Sequence, residues 1–389
     1  MKQEQYLEVF GNIDEEFILA ASATISYSSP SESHHKIYWK KWLITAACLC
    51  VICCTIIHFA SVRFSPEHST PELHLPLLEV EFAYGEMGYE GFLLYDISES
   101  NDNNPWYSGA DLKTLPVYKN LAYTDEAGTP VCLTQNEMEN YAKQLALSLQ
   151  EDILEFIPNS SNGNIYQTNA VTENLIITVL GNGSARIEYT PPLTLPDRYS
   201  FTAANTSNNE AEKTIHYLLE TYHVLHLFET PAISTWGNYS FAGNYARNFS
   251  AYEESQDLTE SILNYNFNKI SFVPNSAGEL QYIRLQNALS CAELIDHYPI
   301  ITEQEALTQL LNGKYFTTVP DDDLPNGNID KNLVAKTELV YRSGNVCKTF
   351  MPFYRFYVEL KESESVSLPN GIKSYGIYYV PAVSGQYLK

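Results

Sequence analysis

The chain has 389 residues and a mass of 44.0 kDa, with 47 acidic against 23 basic residues and a net charge of −24. At 44 % hydrophobic and 18 % charged it has ample material for a core, which excludes a disordered chain. The acid surplus excludes a phosphate-backbone binder, so no nucleic-acid partner is expected, and it argues against docking on an anionic lipid surface.

In chain order, the first patterned segment is EQYLEVFGNIDEEFILAA, where Tyr6, Phe10, Ile13 and Phe17 recur at helical spacing. Asn12 is placed to cap a turn that begins Asp14-Glu15-Glu16, acids that suit a helix N-terminus. An amphipathic helix this short is marginal alone. It is expected either to fray or to fold into a groove on a cytoplasmic protein partner through those four side chains. A Ser-rich linker, Ser22 to Ser33, follows.

Trp42 to Ala60 then runs for 19 residues without acid, Lys or Arg. A helix rising about 1.5 Å per residue spans in that length roughly the 30 Å hydrocarbon core. Lys40, Lys41 and Trp42 stand at its start as membrane anchors, with Lys36 and Trp39 nearby. The positive charge before the span puts residues 1–41 in the cytoplasm and 61–389 outside, as a single-pass protein of the cell membrane. A leader this long, followed by His58-Phe59-Ala60-Ser61, does not suit a cleaved signal peptide.

The outer part carries 19 basic and 41 acidic residues, a net −22, which keeps it soluble and off an anionic wall or bilayer. Cys48, Cys50, Cys53 and Cys54 fall in the span and read as small packing residues, with acylation of Cys48 the alternative. Outside the membrane only Cys132, Cys291 and Cys347 remain, enough for one disulfide whose pairing the sequence leaves open.

After a Pro- and His-containing stalk (61–76), strand patterns cover Leu77–Tyr84 and Phe92–Ile97. Thr134 and Glu137 make a capping box for a helix expected to run to about Phe156, with Met138, Tyr141, Leu145, Leu149 and Ile153 as its buried stripe. A hairpin is expected from Asn174–Leu180 and Ala185–Thr190 around Gly181-Asn182-Gly183. A helix over Asn209–Phe228, an extended Tyr239–Arg247, a short helix Leu258–Asn264 and a hairpin of Lys269–Val273 with Leu280–Leu285 come next. Thr302 and Glu305 cap a further helix, closed by Gly313. Three strands end the chain at Leu333–Arg342, Lys348–Leu360 and Ser374–Val380. The expected fold class is α+β, antiparallel β-sheets with packed helices in the outer domain plus one N-terminal transmembrane helix. Residues 191–208 break the pattern, so modules at 77–200 and 201–389 are expected, with one continuous outer domain as the alternative.

The runs YPIITEQEALTQLLNGKY, TELVYR, MPFYRFYVEL and YGIYYVPAV, with LEVFGNIDEEFILAA and WKKWLITAACLC at the start, carry a resemblance. So do GEMGYEGFLLYDI, LPVYKN and ILNYNFNKISF in the interior. Together they resemble a family of single-pass membrane proteins of low-GC Gram-positive bacteria over essentially the whole chain. The C-terminal helix and β-meander also resemble extracytoplasmic regulatory modules of the PepSY or YycI type. That resemblance implies a sensor or modulator and brings no catalytic residues.

The polar constellations have bland readings that outweigh the chemical ones. His216, Glu220 and His223 share one helical face, but Zn2+ wants three or four convergent ligands and one helix rarely supplies them. Asp321-Asp322-Asp323 leads to a loop that fails the EF-hand pattern, because Leu324 occupies its third position when Gly327 is the sixth. Five N-x-S/T triplets read as chance. Tyr354, Tyr357, Tyr375, Tyr378 and Tyr379 are expected to pack a sheet core, with a peptide or glycan groove as the alternative. There is no G-x-S-x-G, Walker loop or dinucleotide fingerprint. No catalytic residue, metal ligand or cofactor is expected, and the chain is read as a non-enzyme. The expectation is a regulatory or sensing protein, anti-sigma-like or a signal modulator, whose outer domain binds an unidentified extracytoplasmic ligand. An envelope scaffold is the alternative, and an envelope hydrolase a more distant one.

Overall fold

The computed structural model describes residues 75–80, 92–95, 102–124 and 131–389, apart from 162, 205, 240–244, 326, 345 and 362–371. The tail positions Tyr6, Phe10, Ile13 and Phe17 and the anchors Lys40, Lys41 and Trp42 lie outside the described residues, as do the 42–60 span and most of the stalk. Among the described residues no helix is long and apolar enough to cross a membrane.

The first half carries β1 (Phe92–Tyr95), β2 (Thr114–Asn120), α1 (Gln135–Ser148), β3 (Glu155–Ser161), β4 (Asn164–Val171), β5 (Leu175–Leu180), β6 (Ala185–Leu193) and α2 (Asn208–Thr221). Then come β7 (Pro231–Ser234), β8 (Gly237–Tyr239), β9 (Tyr245–Arg247), β10 (Ser250–Glu253), α3 (Leu258–Phe267), β11 (Lys269–Pro274) and β12 (Leu280–Leu285). The chain closes with β13 (Ala292–Pro299), α4 (Glu303–Leu311), β14 (Val334–Tyr341), β15 (Thr349–Phe350), β16 (Pro352–Glu359) and β17 (Lys373–Pro381). Every pairing between these strands is antiparallel, so the fold is α+β.

An eight-stranded sheet has the order β3-β4-β5-β6-β12-β11-β10-β7. Ile177, Ile187, Ile283, Ile270 and Phe272 point from its central strands to one side, where Met138 and Leu145 of α1 and Ile215 and Leu218 of α2 complete the core. Both helices begin with a full capping box, Thr134 with Glu137 and Ser207 with Glu210. The hydrogen bonds from Thr134 and Ser207 hold the Glu137 and Glu210 carboxyls below their ordinary range.

Helix α1 stops well short of Phe156, because Gln150 takes a left-handed backbone at φ 60° and turns the chain back. Ile153 and Phe156 still reach this core, but after the turn, with Phe156 on strand β3. Helix α2 likewise ends at Thr221 rather than near Phe228, since Tyr222 leaves helical geometry and a 3-10 turn, His223–Leu225, follows. Strands from both sides of residue 200 share this sheet, with Leu193 opposite Leu280.

The second sheet, β14-β16-β17-β1-β8-β9, is built mainly from the C-terminal strands. Its two faces feed two cores. Leu339, Phe356, Tyr378 and Val380 meet α3 and α4 on one side, and Val340, Phe353, Ile377 and Tyr379 meet Val117, Tyr298 and Leu78 on the other. A ribbon connects the sheets, since β7 and β10 pair in the first and β8 and β9 in the second. Asn248 holds its crossing point: its side-chain oxygen accepts from the Trp236 N–H at 2.6 Å, and its carbonyl accepts from the Thr235 hydroxyl at 2.7 Å. The extended stretch expected at Tyr239–Arg247 is therefore the ends of two strands, β8 and β9, paired with each other. Strands β13, β2 and β15 form a third, small sheet.

Candidate functional site

A cavity of about 180 Å³ opens where elements of all three sheets converge. Its walls are set by backbone turns and by side chains that spend their polar atoms internally. Asn120, at the end of β2, donates to the Cys347 carbonyl at 2.9 Å and accepts from the Ala122 N–H at 2.9 Å. Asn266, in the last turn of α3, donates to the Ile262 carbonyl at 2.7 Å and accepts from the Tyr341 N–H at 2.9 Å. Each carboxamide ties two segments together, so the wall is rigid before any ligand arrives.

The opposite wall is the β5–β6 turn. Asn182 accepts from the Ser184 N–H at 3.1 Å, and Gly183 sits at φ 85°. A Cβ at 183 would overlap the Ser290 hydroxyl, so both the backbone angle and the close approach require glycine. Cys291, another wall residue, is joined to Cys132 in a disulfide with its Cα atoms 5.9 Å apart. The Cys132 and Leu133 N–H groups both donate to the Gly181 carbonyl, at 2.7 and 2.9 Å. The start of α1 is thus fastened to the turn that lines the cavity.

Three lining groups are left over. The hydroxyls of Ser184 and Ser343 and the carboxamide of Gln286 make no hydrogen bond among the described residues. Phe267 and Phe350, with ring centroids 5.4 Å apart, supply the apolar part of the lining. Among the described residues no acidic or basic side chain lines the cavity.

A second polar cluster lies between the sheets. On β10 and β11, Tyr252 and Lys269 lie opposite one another, two positions along from Ser250 and Ser271. The Lys269 ammonium stands 3.5 Å above the Tyr265 ring centroid and 3.3 Å from the Ser234 hydroxyl. Tyr265 donates to Asp102, whose other oxygen is 3.9 Å from the Lys336 ammonium. Lys336 is 2.5 Å from Glu338, which also accepts from Arg355 Nε at 3.0 Å and from the Tyr357 hydroxyl at 2.7 Å. Burial disfavours the charged Glu338, but Arg355 and Lys336 outweigh it and hold the carboxyl down at about 2. Burial pushes the Lys269 ammonium down to about 8, against the pull of Asp102. A serine beside a lysine of lowered pKa has the composition of a hydrolytic pair. Ser234 is fully buried, however, and a substrate cannot reach its hydroxyl.

The residues weighed for metal chemistry do not come together. His216, Glu220, His223 and His226 are all exposed, and His223 shares a 2.7 Å hydrogen bond with the Glu220 carbonyl beyond the end of the helix. Among the described residues no three His, Cys, Asp or Glu side chains group to hold a metal ion. In the acidic loop, Asp330 caps the Asn332 N–H at 2.9 Å, and the Asp322 carbonyl accepts from Lys361 at 2.7 Å. The five C-terminal tyrosines are buried and form core, not a groove. Tyr354 donates to the Ile301 carbonyl at 2.9 Å, and burial pushes its pKa up to about 12.

The cavity residues had little signal in the sequence. Gly181-Asn182-Gly183 reads as a turn and nothing more, and Gln286 and Ser343 fall just past strand ends. Asn120 and Asn266 do stand out, as carboxamides in the runs LPVYKN and ILNYNFNKISF, where burial would demand that each find partners. Compared with models of known protein families the chain matches none, and no curated protein matches it.

Proposed function

We propose that the chain is a single-pass membrane protein whose extracytoplasmic domain binds a small ligand and passes its occupancy to the cytoplasmic tail. The carrying observation is the cavity, whose rigid polar wall leaves Ser184, Gln286 and Ser343 without internal partners. These side chains are half-buried or exposed, so their polar atoms are open to water or to the polar atoms of a ligand. The Cys132–Cys291 disulfide supports the outer location, since such bonds persist in oxidising compartments. In this reading the function is regulatory, anti-sigma-like or signal-modulating, and not enzymatic. The helix bearing Tyr6, Phe10, Ile13 and Phe17 is the part that engages a cytoplasmic regulator, while Lys40, Lys41 and Trp42 hold the span in register with the bilayer.

The test is capture of cytoplasmic proteins by the full chain in membrane vesicles, compared with Phe10→Asp and Phe17→Asp. A partner captured by the wild type and lost in both variants supports signalling. Equal capture by all three, or none, sinks it and leaves an envelope scaffold. Protease added to intact cells checks the topology: it should remove the domain after residue 61 and spare the tail.

A further inference from the structure

We infer that Arg186 and Arg284 form a site for a singly charged oxyanion, the carboxylate or phosphodiester group of a small ligand. The site needs neither the cavity nor the tail, so it stands or falls apart from the function proposed above.

Placement comes first. Arg186 on β6 and Arg284 on β12 lie directly opposite one another in the eight-stranded sheet. Side chains alternate along a strand, and the adjoining Ile187 and Ile283 are buried in the core beneath α1 and α2. The two arginines therefore share the other face, where Arg284 is exposed and Arg186 half-buried. Neither lines the cavity, although Ser184 and Gln286, which do, are each two positions away along the chain. The Cβ atoms of such a cross-strand pair are about 4.5–5.5 Å apart, and like charges there repel. A chain with 47 acidic and 23 basic residues has acids in excess, yet it sets two cations side by side.

Charge is next. Glu188 answers one arginine, its carboxylate 3.0 Å from an Nη of Arg186. The Arg284 guanidinium makes no ion pair or hydrogen bond among the described residues. Two arginines and one glutamate leave the group one positive charge in excess. A single negative charge neutralises it.

Donor geometry narrows the ligand further. A guanidinium presents a planar fork of N–H donors that matches a pair of charged oxygens. Carboxylate and phosphodiester groups each spread one negative charge over two oxygens, so they answer both the charge and the forks. A neutral group would leave the excess charge unmatched. A polyanion suits the place badly, because the net −24 of the chain repels its remaining charges. A single group responds mainly to charges within a Debye length, about 8 Å at physiological salt. The guanidiniums lie 5.5 Å (Arg186) and 5.8 Å (Arg284) from the Tyr282 ring centroid. That shared ring helps to hold both in place before an anion arrives, which lowers the entropic cost of binding.

The experiment is thermal unfolding of the full-length protein in detergent micelles, with chloride holding the ionic strength constant. The probes are N-acetylglycine for a carboxylate, dimethyl phosphate for a phosphodiester and N-acetylglycinamide as the neutral control. At least one anion should raise the midpoint saturably, and the one that does identifies the group; the amide should leave the midpoint unmoved. Arg284→Gln, at an exposed position, should weaken the apparent affinity at least about tenfold while the unliganded curve stays in place. Arg284→Lys keeps the charge without the fork and should fall between the two. Glu188→Gln removes the internal competitor and should tighten binding. The inference is overturned if neither anion shifts the midpoint, if the amide shifts it equally, if Arg284→Gln responds like the wild type, or if Glu188→Gln binds more weakly.

Discussion

The network around Glu338 and the cavity beside Asn120 both lie where sheets meet, and their chemistry is opposite. In the network, cations and carboxylates between β10 and β11 on one side and β14 and β16 on the other pair with one another. In the cavity every described lining residue is neutral, and the side chains of Ser184, Gln286 and Ser343 make no hydrogen bond among the described residues. Charges taken out of water must be matched at once, or the fold pays in stability. Dipoles can be left to pair with solvent or ligand at far lower cost. The contrast teaches which junction serves as a lock and which stays open to exchange.

The largest expected effect comes from breaking the lock. Glu338→Gln leaves the buried Lys336 and Arg355 charges without their carboxylate, which should cost about 3–5 kcal/mol in urea unfolding of the full chain. Ligand binding at the cavity by whatever protein stays folded should be unchanged. The pH dependence isolates the same residue. Its folded pKa, about 2, lies below the ordinary 4.5, so the stability it adds is complete above pH 4.5 and is lost as pH falls toward 2. The loss over that range is about 3 kcal/mol, and the Glu338→Gln variant should not show it. Lys269 acts with the other sign. Its depressed pKa costs stability below pH 8, a cost relieved between about 8 and 10.5, and Lys269→Met should flatten that alkaline gain. An acid limb identical in wild type and Glu338→Gln would break the comparison at its charged end.

Next in size is the disulfide. Cys132→Ser with Cys291→Ser opens a covalent loop spanning 159 positions, and removing a native bridge typically costs about 2–5 kcal/mol. Unlike the Glu338 change, this one should also weaken ligand binding, because Cys291 is a wall of the cavity. Stability lost without any loss of binding would show that the wall stands without the bridge.

How much of this was legible follows from what kind of information each part needs. Capping boxes and turns are local, so Thr134 with Glu137, Thr302 with Glu305 and the turn at 181–183 were readable from neighbouring letters. The terminal strands were readable from alternation, although Met351 divides the expected Lys348–Leu360 into β15 and β16, which join different sheets. Helix α1 was overextended because Ile153 and Phe156 continue its apolar spacing after Gln150 has turned the chain. Strands β2 and β13 found their pairing only across the whole length of the domain, from Asn120 to Ala292. The cavity is further removed still, since its lining runs from residue 120 to 350. The lock has the same non-local character. Glu338 and Arg355 are near in sequence, but Asp102 and Lys269 join them only through the fold.

Gly183→Ala tests the cavity wall at a smaller scale. The left-handed backbone at φ 85° alone should cost about 1–2 kcal/mol for a residue with a Cβ, and the Ser290 hydroxyl stands where that Cβ would go. Ser290→Gly should restore the part due to overlap and not the part due to the backbone. A double-mutant cycle by thermal unfolding separates the two. If Ser290→Gly returns nothing, the turn and the 288–291 segment are not in register as described, and the cavity has a different wall.

The smallest effect expected is from Thr134→Ala. The Thr134 hydroxyl bonds to the carboxylate of Glu137 at 2.6 Å and receives its N–H at 3.3 Å, so the substitution removes both halves of the cap that the hydroxyl supplies. Such a loss costs about 1 kcal/mol. What makes it informative is position. Cys132 and Leu133, just before the cap, hang from the Gly181 carbonyl beside the cavity. Helix α1 starts from that anchor, and the anchor does not depend on the helix start. Stability should therefore fall slightly while ligand affinity stays within about twofold, a change below about 0.5 kcal/mol. A larger drop in affinity would mean that the first turn of α1 holds the wall in place, and that the open junction depends on helix formation as closely as the closed one depends on charge.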